Sequence, residues 1–271
     1  MGKNINDIRI SNRSLILSRL YFDGAKSRKA LSLLTSLTPA AVTGLVRELI
    51  DENIVRETKK VLPSGGTGRS EILLEICSDR LFALGIHFSR SKSVRVTLSD
   101  LDGRTILFAE TEFYGDFEKV KVFIKKKTAA YGDRIIGVGI TTHGIVDSRG
   151  GISVDSYGIM PKDTNLKEIF SDLFDCPVTV ENNVRALLTA YAVKEKNPPD
   201  EGTLFIKYGQ GVGGAYLENG RGFLGSHFRA AEIGHIVIEK DGEKCVCGKN
   251  GCLETKVSYR VIEKKAKEIF H

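Results

Sequence analysis

The segment EIGHIVIEKDGEKCVCGKNGCLE constrains this chain more than any other, because it sets His235, Cys245, Cys247 and Cys252 at the spacing H-x9-C-x-C-x4-C. One imidazole and three thiolates make a four-coordinate set that zinc favours, and with no open position such a site is structural. A dithiol redox motif separates its cysteines by two residues, whereas one residue lies between Cys245 and Cys247. Three of the five cysteines crowd into this stretch, an odd total that suits a metal site in a reducing compartment better than a disulfide framework. Cys77 and Cys176 then read as ordinary core or near-core residues.

A chain of 271 residues with 41% hydrophobic content has the material for one large domain or for a small and a medium one. No run approaches the apolar length of a membrane span, and MGKNINDIRI lacks the apolar block of a signal peptide, so a cytoplasmic protein with no membrane partner is expected. The net charge of +6 is unevenly placed: residues 1–60 hold 11 Lys and Arg against 6 Asp and Glu, and the rest of the chain is nearly balanced. Such asymmetry suggests a nucleic-acid-facing module joined to an electrically neutral one.

The local patterns in that first module agree with its charge. Leu15, Ile16, Leu20 and Tyr21 recur near helical spacing until Asp23-Gly24 stops them. SRKALSLLT (27–35) starts on a Ser cap, and in LTPAAVTGLVRELIDEN Thr38 is an N-cap with Pro39 at the first helical position. Two short helices joined by about three residues outline a helix-turn-helix. Its second member would lay Ala40, Thr43, Gly44 and Arg47 in a major groove and turn Val42, Leu45, Val46 and Leu49 inward. NIVRETKKVLPSGGTGRSEILLEI then alternates about a Gly-rich tip, the pattern of a β-hairpin wing. Arg69 at that tip is placed to enter a minor groove, with Ser27, Arg28, Lys29, Lys59 and Lys60 on phosphates. We therefore expect residues 1–75 to form a DNA-binding domain, mainly α with a β wing.

Beyond Glu75 the texture is α/β. LFALGIHF and VRVTLSDLDGRTIL pair as hairpin strands, RIIGVGITTHGIVD is a buried strand leaving through a Gly-rich turn, and TLFIKYGQGVGGAYLENGRG repeats that style. In PVTVENNVRALL a β-branched strand runs through Glu181-Asn182-Asn183 into an amphipathic helix, the kind of strand end where α/β proteins collect ligands. Two neutral amides make good hydrogen-bonding groups and poor proton acceptors. His143 reads as a turn residue, and His87 and His227 have no visible partner constellation. IEKKAKEIF reads as a solvated helix face.

The order of a winged helix, GVGITTHGIVD, VENNVRALL, GQGVGGAYLENG, AAEIGH and CVCGKNGCLE closely resembles the ROK family (repressor, open reading frame, kinase) along essentially the whole chain. The resemblance implies that residues 76–271 form an actin-like, ribonuclease-H-type domain in two lobes, with zinc bracing a sugar pocket. Carried over position by position, the sugar contacts would be Asn182, Asn183, Glu232, His235 and Glu254, His235 being also a zinc ligand.

Members are sugar kinases or sugar-responsive repressors, and two departures bear on which this is. A kinase of the family places an Asp where this chain has Asn183. An amide can hydrogen-bond a sugar hydroxyl and cannot take its proton, and general-base catalysis is worth roughly 10²–10⁴-fold. In GIHFSRSKS, His87 lies near the family's Asp and Arg90 stands where a glycine is expected in the phosphate loop, which removes the main tools of phosphoryl transfer. The Gly209–Gly214 loop is intact, readable as hairpin-shaping glycines or as a phosphate site. Ala231 replaces the family's glycine before the EIGH glutamate, and the stretch after the zinc motif is shorter than usual. The resemblance thus implies a repressor of carbohydrate-utilisation genes that binds sugar without phosphorylating it, uses structural zinc and no ATP, and reads a pseudo-palindromic double-stranded operator as a homodimer or higher homo-oligomer. The alternative is an ATP-dependent hexose kinase carrying a DNA-binding head.

Overall fold

In the computed structural model the described residues are 5–61, 70–195, 202–218 and 220–270. The chain divides into two compact units, Met1–Phe82 with Asp100–Arg104, and Ala83–Ser99 with Thr105–His271.

The first unit contains α1 (Ile5–Asp23), β1 (Lys26–Ser27), α2 (Arg28–Thr35), α3 (Pro39–Asp51), β2 (Val55–Val61) and β3 (Glu71–Ile76). Both short helices begin where side-chain chemistry dictates. Ser27 Oγ accepts from Ala30 N and Thr38 Oγ1 from Ala41 N, each at 3.2 Å, which satisfies one otherwise orphaned N–H per helix. Ser36 ends α2 in the left-handed region (φ 58°), and α3 leaves at 117° to α2. The strands form an antiparallel sheet ordered β1-β3-β2. Ile16, Leu20, Leu31, Val42, Leu45, Val46, Leu49, Val55 and Leu74 make one core, so the inward face expected of α3 is the face it buries. Arg13 on α1 forks onto Glu52 and reaches Glu48 on α3, exposed pairs worth little individually.

The second unit runs β4 (Phe82–Ser89), β5 (Ser93–Asp100), β6 (Thr105–Glu112), α4 (Phe117–Thr128), β7 (Ile135–Thr142), β8 (Ile145–Asp147), β9 (Ile152–Asp155), β10 (Thr164–Asn165), α5 (Leu166–Ile169), β11 (Val178–Asn182), α6 (Asn183–Lys194), β12 (Thr203–Tyr208), β13 (Val212–Glu218), β14 (Arg221–Gly222), α7 (Glu254–Val257) and α8 (Tyr259–Phe270). Five strands make a sheet ordered β11-β7-β4-β5-β6. Phe88, Phe113, Phe117 and Phe170 pack edge to face or tilted between that sheet and α4, at ring separations from 4.9 to 6.2 Å. The 151–175 stretch carries β9, β10 and α5, and β10-β9-β8 form a second small sheet. α8 buries no residue, as its charge-rich pattern predicts. Among the described residues no single helix is long and apolar enough to cross a membrane.

One register positions the site. β11 runs parallel to β7 with Asn182 opposite Thr142, so the turns leaving both carboxyl ends open side by side. Ligands of open α/β sheets collect at such ends.

Candidate functional site

The turn at Glu181-Asn182-Asn183 divides its labour between holding the fold and facing a cleft. Asn182 Oδ1 accepts from Val184 N at 2.8 Å and Arg185 N at 3.2 Å, capping α6, while its Nδ2 donates to Gly144 O at 2.7 Å. Asn182 also lines the cleft: its Oδ1 and one Nδ2 hydrogen are committed to backbone, which leaves the second Nδ2 hydrogen to donate to a ligand. Asn183 differs. It is 8% exposed and lines the same cleft, and its side-chain amide enters no hydrogen bond among the described residues. A buried amide without a protein partner is one that a ligand can satisfy.

Beneath the turn lies a polar network that sequence reading missed. Arg185, 6% exposed, donates from Nε to Glu181 Oε1 at 2.6 Å and from Nη2 to Val146 O at 2.8 Å and Ser148 Oγ at 3.2 Å, with Nη1 on Phe228 O at 3.2 Å. An arginine inside VENNVRALL was its only local sign.

The four predicted metal ligands converge. One donor atom from each of His235, Cys245, Cys247 and Cys252 lies within 4.8 Å of the others, with His235 Nδ1 3.4 Å from Cys245 Sγ and Cys247 Sγ 3.6 Å from Cys252 Sγ. Tetrahedral zinc with bonds of about 2.0–2.3 Å separates its ligands by roughly 3.5–3.8 Å, so the donor set fits the ion. Burial pushes the Cys245 and Cys252 thiols up, and a bound divalent cation is what would hold both as thiolates. His235 Nε2 turns the other way, 3.7 Å from Glu232 Oε2, and Glu254 Oε1 is 3.1 Å from Cys245 Sγ. The metal cluster thus supports Glu232, which lines the cleft, in the manner of an outer shell, and Glu254 lines the same cleft. In the EIGH turn a Cβ on Gly234 would sit 1.9 Å from Val212 O, so only glycine fits.

Just before that turn Ala231 adopts φ 56°, a left-handed conformation that costs a Cβ-bearing residue about 1–2 kcal/mol. Ala231→Gly is therefore expected to raise stability by about 1 kcal/mol in urea denaturation. Equal or lower stability would mean that the turn relaxes around alanine without strain.

The opposite wall of the cleft is cationic and was not foreseen. His87 donates or accepts through Nδ1 with Thr141 Oγ1 at 2.9 Å, and its ring lies 5.4 Å from that of His143. His87 therefore has the partners its sequence context did not reveal, because Thr141 and His143 come from a strand 54 or more residues away that neighbours β4 in the sheet. Arg90 and Lys207 join them in lining the cleft. Among the described residues His227 pairs only with its neighbour Ser226, at 3.0 Å. Burial, followed by the charges of His87, Lys207 and Arg90, brings the His143 imidazole from 6.5 down to about 3. In the unfolded chain the ring takes up a proton near its ordinary value, so below that value protons favour unfolding and stability falls as the pH drops towards the folded value. Replacing His143 with Asn should shrink the stability lost between about pH 7 and about pH 4.5 in denaturant titrations, and an undiminished loss would refute the ring's desolvation.

In the first unit, Thr38, Ala40, Thr43, Gly44 and Arg47 are exposed. Lys29 is also exposed, and Arg28 is paired with Glu57 at 2.9 Å. Ser27 departs from expectation: it is 4% exposed, and among the described residues its hydroxyl caps α2 and donates to Glu71, which turns it to the fold rather than to a phosphate. Arg69 lies outside the described residues.

Residues 111–269 match the family model described as the ROK family. The chain belongs to that family. Its second unit carries the actin-like sheet fold of ROK domains. It is 25% identical to the DNA-binding transcriptional dual regulator NagC of Escherichia coli (strain K12) over 278 positions, covering 97% of this chain and 66% of that protein. It is 26% identical to the xylose repressor of Bacillus spizizenii, covering 93% of this chain and 67% of that one. Among solved structures, a ROK family transcriptional regulator homologous to the E. coli MLC protein superimposes with a TM-score of 0.76 at 25% identity, over 96% of this chain and 68% of its own. A ROK family glucokinase from Streptomyces griseus, in complex with glucose and AMPPNP, gives a TM-score of 0.59 at 25% identity over 69% of this chain and 60% of its own. This ROK chain thus spans 66% of the length of NagC.

Proposed function

We propose that this ROK protein is a sugar-responsive transcriptional regulator, a repressor of carbohydrate-utilisation genes that binds its sugar without phosphorylating it. The observation that carries the reading is the extent of likeness. Coverage of 96% by the regulator structure necessarily takes in most of the first unit, while coverage of 69% by the glucokinase does not need it.

In this reading the first unit is a winged helix-turn-helix. α3 lies in the major groove on the face that exposes Ala40, Thr43, Gly44 and Arg47, with the β2–β3 hairpin and Arg69 as wing and Arg28 and Lys29 near phosphates. Small residues on that face permit close approach, and Arg47 supplies the base-edge fork. Two copies read a pseudo-palindromic operator. In the second unit Asn183, Glu232 and Glu254 meet the sugar hydroxyls, Asn182 shapes the turn, and His235 joins cleft to zinc. An amide at residue 183 binds a hydroxyl without accepting its proton, so affinity is kept while turnover is lost.

The test is an operator titration with the zinc-loaded chain, with and without a panel of monosaccharides. A sugar in the panel is expected to shift operator affinity about 5- to 150-fold, the size of typical allosteric coupling. If none does, the sensor reading fails. Sugar-dependent ADP formation at a substantial rate would instead support a kinase, and Asn183→Asp gaining that activity would locate the lost base.

A further inference from the structure

We infer that two copies of this chain join through the outer edge of β12, the strands antiparallel about a two-fold axis at Ile206 and the bare apolar stripe of α8 beside the joint. The inference is read from the second unit alone and rests on neither the operator nor the sugar.

The two faces of β12 have different fates. On one, Phe205 packs with Val184, Leu188, Ala215 and Leu217. On the other, Leu204, Ile206 and Tyr208 are 52%, 56% and 56% exposed. A strand with one face on the core and one in water ordinarily alternates apolar with polar, so an apolar row on the water side marks a surface that a partner covers. Strand edges left in water are normally blunted by proline, charge, a bulge or brevity. Among the described residues β12 ends its sheet, pairs with β13 over six unbroken positions and contains no proline. Its one charge, Lys207, lies on the Phe205 face. The β6 edge of the larger sheet is protected by comparison: Glu110 and Glu112 stand on its exposed face, and its register with β5 shifts at Leu98–Ser99.

α8 extends the same surface. Its first turn is tied to the exit of β12, with Tyr259 N donating to Gly209 O at 2.9 Å and Tyr208 Oη to Val257 O at 2.7 Å. Tyr259, Ile262, Ala266 and Ile269 recur at helical spacing, yet the helix buries no residue. Its charges lie off that stripe and pair along the helix, Lys264 with Glu268 and Lys267 with Glu263. Leu204, Ile206, Tyr208, Tyr259, Ile262 and Ile269 together leave roughly 600 Å² exposed, the upper end of what a monomer keeps as its largest apolar patch. Two such surfaces brought together bury about 1,200 Å² before the strand backbone is counted, the size at which stable interfaces begin.

A second copy is the partner this edge fits. A two-fold axis normal to the sheet keeps each face on its own side, and the register that opposes all three apolar residues is centred on Ile206. Ile206 then faces its own counterpart, Leu204 faces Tyr208 of the second copy, and Phe205 faces Lys207 of the second copy. No like charges stand opposite one another in that register.

Sedimentation equilibrium on the zinc-loaded full chain is the first measurement, and a dimer that dissociates in the micromolar range or below is expected. Ile206→Asp sets two carboxylates against each other on the axis and should weaken association at least about tenfold, with thermal melting and zinc content reporting that the fold is kept. Ile206→Cys tests the register without disrupting it. Residues opposed across antiparallel strands hold their Cβ atoms about 4.5–5.5 Å apart, near the span of a disulfide, so mild oxidation should link two chains. Phe108→Cys on β6 and the unaltered chain are the controls and should stay unlinked. If the Asp variant loses its fold, the cysteine comparison decides alone. A chain that stays monomeric at about 100 μM overturns the proposal. So does a dimer that Ile206→Asp leaves intact, or a Phe108→Cys that links as readily as Ile206→Cys.

Discussion

Replacing Arg185 with methionine is expected to destabilise the second unit by about 3 kcal/mol, measured as a lower midpoint in urea denaturation. Arg185 is 6% exposed and its guanidinium serves Glu181, Ser148 and the carbonyls of Val146 and Phe228 at once. Methionine fills similar volume, so the loss is mainly electrostatic: two carbonyls lose a donor, and Glu181, which keeps Ser148 Oγ and Asn182 N, loses its counter-charge. Glu181 retains 28% side-chain exposure, and water can recover part of its solvation, which keeps the figure at the lower end for a broken buried pair. Arg185→Lys should cost nearly as much, because one ammonium cannot reach acceptors spread around a planar fork. A loss under about 1 kcal/mol for methionine would show that the network is slack.

The second large effect concerns the metal. Cys252→Ser removes a thiolate from a site whose other donors are already gathered, and Cys252 is fully buried. Zinc content by mass spectrometry is expected to fall from one per chain to well below it, with a melting temperature lower by on the order of 10 °C. Glu232 leans on the cluster through His235, so on the proposed reading sugar affinity should fall with the metal although that carboxylate is not altered. Cys176→Ser is the control and should leave zinc content unchanged. Retention of full zinc content by Cys252→Ser would remove that cysteine from the ligand set.

Local chemistry made much of this molecule legible. Thr38 and Pro39 start α3 because an oxygen acceptor and a missing N–H are what a helix beginning needs, and Val42, Leu45, Val46 and Leu49 turn inward because 3.6-residue spacing places them on one stripe. The metal motif was legible for a related reason: His235 and the three cysteines lie within 18 positions, and a zinc ion tolerates few other arrangements of such donors. The place of Asn183 came from the family resemblance, which implies a carboxylate at that position in the kinases.

What only the tertiary structure decided depends on which strand lies beside which. The order β11-β7-β4-β5-β6 brings His87 from β4 next to Thr141 and His143 from the end of β7, and no periodicity in either segment announces the other. The same holds for Arg185, whose acceptors at Val146 and Phe228 are distant in sequence, and for the cationic wall that Arg90 and Lys207 build from separate strand ends. Even between two adjacent identical residues the division was spatial. Asn182 caps α6 and holds Gly144 with all but one hydrogen of its amide, and Asn183, one step around the helix start, faces the cleft with no side-chain partner among the described residues. Side-chain spacing along a chain records which residues share a face of an element, whereas the packing of elements determines what that face will meet.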